Sequence, residues 1–239
     1  MNLSKGETKP YLAIFLGAPG AGKGTQSTLV SEHFRLQRIE TSKLLEARFK
    51  SAKEDDEIEV SGKRYVIAEQ EHRWRTGLLC EDGFVAFIVG EKLQELYAGG
   101  KSVVLDGFPR TIGQLEPLLP FILDSFGKDH IAVIYIDIQE EEAVFRNSNR
   151  RICDLMRHPI LFTPETENLT MCPLDGSKLV KRALDDPKVI KVRFEEFRTQ
   201  TLPLLNYFAD QEIPLHTVKA EQSVVNVFSH VSEILGKLS

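Results

Sequence analysis

The chain has 239 residues, 42% hydrophobic and 27% charged, ordinary values for a folded protein that exclude a largely disordered or collagen-like chain. Thirty basic against thirty-five acidic residues leave a formal charge of −5, which disfavours a general nucleic-acid binder but leaves room for a local arginine cluster on a small anion. Three cysteines are too few for a disulfide framework, no apolar run approaches a membrane span, and Met1–Pro10 has no apolar signal core, so a cytoplasmic protein is expected.

Tyr11–Leu16 is a continuous apolar run and predicts a buried strand, followed by a glycine-rich turn and a helical pattern over Thr25–Phe34. Further short strands are expected at Gln37–Ile39, Val103–Leu105, Ile131–Ile138 and Pro214–Val218. Helical patterns cover Val85–Tyr97, Thr111–Ser125, Glu140–Arg150, Pro187–Ala209 and Ser223–Lys237. Strands alternating with helices imply an α/β fold with a parallel sheet. Two stretches break the alternation and read as inserts on the ligand side of the sheet. Lys50–Gly77 is highly charged, with a hairpin signal around Ser61–Gly62 and a polar helix after it. Arg151–Arg182 is rich in Pro, Thr and Asp and holds two of the three cysteines.

Gly17–Thr25 reads GAPGAGKGT, a G-x-x-x-x-G-K run between a strand and a helix, which is the context that identifies a phosphate-binding loop. Gly20, Ala21 and Gly22 let successive backbone N–H groups turn inward on an anion, the helix start adds its dipole, and Lys23 supplies a point charge. The residue after Lys23 is Gly24 and the hydroxyl comes one later, at Thr25. A magnesium ion here is therefore expected to rest mainly on phosphates and waters. A second segment, KSVVLDGFPRTIGQ, brings Asp106, Gly107 and Arg110 to the carboxyl end of a strand, where open parallel sheets bind ligands. There Asp106 suits the water shell of Mg²⁺, Gly107 suits close approach of a base, and Arg110 suits a phosphate.

Together, GAPGAGKGTQ and DGFPRTIGQ resemble the adenylate kinase family of nucleoside monophosphate kinases, as do FRNSNRR at 145–151, the Asp185–Asp186 pair and RFEEFRTQTLPLLNYF at 193–208. The resemblance implies a three-layer P-loop fold with a five-stranded parallel sheet. It implies core segments at 1–40, 80–150 and 184–239, an NMP-binding insert at 41–79 and a LID insert at 151–183. The implied reaction is reversible phosphoryl transfer from ATP, with Mg²⁺, to AMP in a monomeric chain. A kinase for another monophosphate and an ATP-binding regulatory protein without turnover are the alternatives.

By the same resemblance, Lys23, Arg110, Arg150, Arg182 and Arg193 surround the transferring phosphoryl group. Arg146 lies near the ATP base, and Ala220–Gln222 cups it. Thr41, Leu79 and Cys80 line the AMP pocket, and Gln114 reads adenine. Arg151, Arg157 and Arg198 are expected to be ordinary surface charges.

The sequence departs from the family in two places. Glu46 stands where the family usually has an arginine on the AMP phosphate, and Arg64, Arg73 and Arg75 of the long insert are the candidate substitutes. In the LID segment the zinc pattern of many bacterial relatives is reduced to Cys153-x-x-Met156 and Cys172-x-x-Asp175. Methionine is a poor zinc ligand, so the favoured expectation is a metal-free lobe with buried thiols. Structural zinc on Cys153, Cys172 and Asp175, completed by His158 at an unusual spacing, is the alternative.

Overall fold

The computed structural model describes residues 9–53, 55–181 and 183–238. In chain order its elements are β1 (Leu12–Gly17), α1 (Lys23–His33), β2 (Gln37–Glu40), α2 (Thr41–Ser51), β3 (Glu57–Val60), β4 (Lys63–Val66), α3 (Ile67–Thr76), α4 (Asp82–Ala98), β5 (Val103–Asp106), α5 (Ile112–Leu115), α6 (Leu119–Phe126), β6 (Ile131–Asp137), α7 (Glu140–Asn149), β7 (Arg151–Cys153), β8 (Pro159–Ile160), β9 (Leu179–Val180), α8 (Pro187–Glu196), α9 (Pro203–Asp210), β10 (Leu215–Lys219) and α10 (Val224–Leu235).

Five strands form one parallel sheet in the order β10-β6-β1-β5-β2. The middle strands β1 and β5 are buried along their whole length, as their unbroken apolar runs require, because helices cover both faces of the sheet. Side chains alternate between faces. Leu12, Ile14 and Leu16 of β1 join α4, α6 and α9 in one core, while Ala13 and Phe15 join α1, α8 and α10 in the other. This is the three-layer α/β arrangement expected from the sequence.

Two long helical patterns are each divided. Thr111–Ser125 becomes α5 and α6, because Pro117 and Pro120 each lack an N–H to continue a helix. Pro187–Ala209 becomes α8, a π-helical turn at Phe197–Thr201 and α9, with Pro203 at the start of the last. The expected hairpin forms as β3 and β4, with Ser61 (φ 51°) and Gly62 (φ 81°) both left-handed, as a two-residue turn requires. Its Tyr65 packs on Phe84 of α4, ring centroids 6.1 Å apart. Segment 151–180 carries its own three-stranded sheet, β8-β7-β9, around a small core of Cys153, Ile160 and Cys172.

Candidate active site

β1 delivers the glycine loop to the carboxyl edge of the sheet. Gly20 adopts φ 91°, and a Cβ there would lie 2.6 Å from the Ala143 carbonyl oxygen, so no larger residue fits. Gly22 caps α1 with no side-chain hydrogen bond, which leaves the first N–H groups of the helix open to an anion. Ala21 is buried in the turn, while Gly24 and Thr25 continue into α1.

Lys23 folds back over the loop and donates to the carbonyls of Gly17 (2.6 Å) and Ala18 (2.9 Å). It keeps part of its surface in solvent, yet burial among dense surroundings pushes its ammonium down to about 7. Asp106 opposes that shift, and the positive charges of Arg110, Arg193 and Arg150 add to it. Lys23, Arg110 and Arg193 line one cleft together with Gly17, Gly107 and Leu79.

The arginines are held by identifiable partners. Arg150, just after α7, forms a two-pronged pair with Asp185 (Nε–Oδ2 2.9 Å, Nη2–Oδ1 2.5 Å). Asp185 is only 1% exposed and also lies 3.8 Å from Arg193 on α8, which donates to the Leu184 carbonyl at 3.1 Å. Asp185 thus aims two of the expected site arginines, a role that the paired aspartates did not disclose in the sequence. Arg182 lies outside the described residues. Arg110 is lowered from its usual pKa by burial, and its Nε donates to the Gly107 carbonyl at 3.0 Å. Arg146 bonds Glu142 (2.7 Å) and the Ala220 carbonyl (3.0 Å), joining α7 to the stretch that includes Gln222.

The expected AMP side gathers around β5. Gly107 takes φ 84°, and a Cβ there would come 3.1 Å from Arg110 Nη2. Thr41 is buried and its hydroxyl donates to the Asp106 carbonyl at 3.2 Å. Gln114 is buried too, and its side-chain oxygen accepts from the Arg110 N–H at 2.9 Å. Cys80 bonds the Gln70 carbonyl, and burial raises its thiol to about 11, so it is protonated at neutral pH. Of the three candidate substitutes for the missing arginine, Arg64 and Arg75 point outward to Glu57, Glu59 and Glu71. Only Arg73 faces inward, where it donates to the Leu79 carbonyl at 2.7 Å and lines a cleft with Cys80 and Thr111. Glu46 stands 4.0 Å from Arg157 of segment 151–180.

A family model described as adenylate kinase matches residues 15–213. The chain belongs to the adenylate kinase family. It is 33% identical to an adenylate kinase of Clostridium botulinum over 94% of its length and 98% of the relative's. It is 33% identical to one of Staphylococcus aureus over 94% and 99%. It is 31% identical to one of Clostridium tetani over 95% and 99%. The chain is therefore a kinase, a transferase acting by phosphoryl transfer between nucleotides. No helix among the described residues is long and apolar enough to cross a membrane.

In this kinase the cysteine lobe assembles a four-residue cluster. Cys153, His158, Cys172 and Asp175 each offer a ligand atom, all within 4.8 Å of one another. Asp175 Oδ2 lies 3.0 Å from Cys153 Sγ and 3.3 Å from His158 Nδ1, and that nitrogen lies 3.5 and 3.6 Å from the two sulfurs. A tetrahedral zinc site with bonds of ~2.0–2.3 Å has edges of ~3.3–3.8 Å, so the spacing suits one ion. The His158 and Leu174 N–H groups donate to the sulfurs of Cys153 and Cys172, and Ser177 binds the outer oxygen of Asp175. The hydrogen bonds from Cys153 and Ser177 hold the Asp175 carboxyl well below its usual range. Met156 points to solvent and takes no part. The sequence favoured a metal-free lobe because Met156 stands in a ligand position and His158 falls at an unusual spacing, five residues after Cys153; the turn at Asp154–Arg157 folds that histidine back beside the sulfur.

Proposed function

We propose that the protein transfers a phosphoryl group reversibly from ATP to AMP, giving two ADP. The observation that carries this reading is the convergence of Lys23, Arg110 and Arg193 on one cleft at the carboxyl ends of β1 and β5. Such a cluster suits two polyanions brought end to end. An AMP phosphate is largely ionised at neutral pH and attacks without a general base, so positioning and charge neutralisation account for the chemistry.

In this reading the loop N–H groups at Gly20–Thr25 cradle the ATP phosphates, and Lys23 leaves its two carbonyls to follow the transferring group. Arg110 and Arg193 sit between donor and acceptor, and Arg182, outside the described residues, is assigned the same role by the family resemblance alone. Arg150, aimed by Asp185, covers the donor side. Arg146 and Gln222 flank the ATP base. Thr41, Leu79, Cys80, Gly107 and Gln114 form the AMP pocket. Segments 41–79 and 151–183 act as the NMP-binding and LID inserts, which close over the core and exclude water.

Magnesium fits the donor set, since the Asp106 carboxylate lies beside the loop at Gly24 and would meet the ion's water shell; when bound, the ion would neutralise phosphate charge. Zinc fits the lobe, with Cys153, His158, Cys172 and Asp175 as its four ligands and a structural part only.

A coupled assay with ATP and each of AMP, CMP, UMP and GMP tests the reaction. The reading expects AMP as the preferred acceptor. A kinase for another acceptor is the second reading, prompted by the carboxylate of Glu46 in place of a phosphate-binding cation, and preference for CMP, UMP or GMP would select it.

A further inference from the structure

The strand β2 carries a charge arrangement that the reaction as described does not use. β2 pairs with β5 so that Arg38 lies beside Val104 and Glu40 beside Asp106. Arg38 and Glu40, two residues apart, share one face of the strand. Nη2 of Arg38 stands between two carboxylates, 2.6 Å from Asp106 Oδ2 and 3.0 Å from Glu40 Oε2. Nη1 donates to the Thr28 hydroxyl at 2.8 Å, and the Ser27 hydroxyl donates to the same Asp106 oxygen at 2.9 Å. Arg38 and Asp106 are mostly buried, at 20% and 10% side-chain exposure. Glu40 has further contacts with Lys43 (3.1 Å) and the Ser42 hydroxyl (3.2 Å). The Arg38 Nε is buried without a hydrogen-bond partner among the described residues, so the two carboxylates, not a complete set of acceptors, hold the guanidinium. The cluster abuts the phosphate loop: a Cβ on Gly24 would lie 3.6 Å from Asp106 Oδ2 and 3.7 Å from Arg38 Nη2.

We propose that Arg38 is a positioning residue, a resident cation that fills the Asp106–Glu40 carboxylate pair and keeps a divalent ion from settling there before the nucleotide brings its own. Two carboxylates around one cation repel each other once it is removed, and they then share a proton or recruit a hard cation such as Mg²⁺ or Mn²⁺. An ion seated there ahead of ATP would take the carboxylate that the metal–nucleotide complex needs. With Arg38 in place, Oδ2 of Asp106 is bound by Ser27 and Arg38, and no described residue bonds Oδ1. The catalytic half of the proposal rests on reading Asp106 as the residue that meets the metal's water shell; the cation-exclusion half does not.

The test is Mn²⁺ binding to the nucleotide-free full chain, read by electron paramagnetic resonance of the free ion. Arg38→Gln is expected to bind Mn²⁺ about tenfold more tightly than wild type, because it exposes two negative charges at short range. Arg38→Lys keeps the charge and should match wild type. Adding Glu40→Gln to Arg38→Gln should abolish the gain. Turnover of Arg38→Gln should also become inhibited by free Mg²⁺ at concentrations that wild type tolerates. If Arg38→Gln does not fold, as judged by its thermal transition, Arg38→Met serves for the same comparison. An Arg38→Gln or Arg38→Met chain with wild-type Mn²⁺ affinity overturns the proposal. Tighter Mn²⁺ binding in Arg38→Gln, together with a wild-type chain that transfers no phosphoryl group to AMP, would sink the proposed function and leave cation exclusion standing.

Discussion

The phosphate end of the sheet and the cysteine lobe achieve order by different means. The glycine loop hangs from β1, which is buried along its length and paired on both sides, so the loop inherits its position from two hydrophobic cores. The lobe has strands of two or three residues and a core of three side chains with Leu179 against it. So little apolar surface cannot fix a fold, because burial returns only ~25 cal/mol per Å² against ~1–2 kcal/mol of backbone entropy per residue. Polar convergence at Cys153, His158, Cys172 and Asp175 has to supply the rest. A mutation at the first region should therefore remove chemistry with the fold intact, and one at the second should remove local order with chemistry reduced.

The sharpest break is Lys23→Met. It deletes the one loop cation and should lower kcat by about 100- to 1000-fold, the range for removing a donor aimed at developing charge. The thermal midpoint should hold, since among the described residues the Lys23 hydrogen bonds go to two loop carbonyls. A variant keeping more than about a tenth of wild-type kcat, a loss under ~1.4 kcal/mol, would take Lys23 out of the mechanism.

The lobe gives the opposite result. Metal analysis should find one zinc per chain, and chelation or Cys172→Ser should lower the thermal midpoint by ~5–10 °C, from linkage of ~2.7 kcal/mol in a chain of this size. Turnover should fall less than in Lys23→Met. A chain that carries no zinc after expression in zinc-supplemented medium, with Cys172→Ser as stable as wild type, would return the lobe to the metal-free reading.

Between these regions lies the insert with α3. Arg73→Ala should raise the AMP KM about tenfold or more, because a charge-assisted contact is worth ~1.5–3 kcal/mol, while the ATP KM stays put. Arg64→Ala and Arg75→Ala should change neither, since both side chains pair with outward carboxylates. Wild-type AMP KM in all three variants would make the insert a passive cover.

The smallest effect is a proton. Free Lys23 sits near 7, so at pH 8 it is mostly neutral, and phosphate oxygens raise its pKa on binding. ATP binding at pH 8 should take up most of one proton, seen as a buffer-dependent heat, and at pH 6 the Lys23 contribution should vanish. Uptake at pH 8 unchanged in Lys23→Met would assign it to another group.

These contrasts track what was legible in the sequence. The sheet and the loop were readable because apolar runs at β1, β5 and β6 and the glycine spacing are local signals. The division of Thr111–Ser125 followed from Pro117 and Pro120, whose missing N–H groups outweigh helical periodicity there. What the sequence concealed was pairing across elements. His158 reaches Cys153 only through a turn, Asp185 collects Arg150 from just past α7 and Arg193 from α8, and Arg38 meets Asp106 through the β2–β5 register. The i, i+2 spacing of Arg38 and Glu40 was a usable signal, but only once β5 was known to be the neighbour.

The central claim is that donor and acceptor sites meet at Lys23, Arg110 and Arg193. The most direct test is calorimetric affinity for a dinucleotide that joins two adenosines through a five-phosphate bridge, compared with ATP and AMP separately. A ligand filling both sites should bind at least ~100-fold more tightly than either nucleotide alone, and Lys23→Met should remove much of that gain. Affinity no better than that of ATP would mean that the two sites do not meet at this cleft.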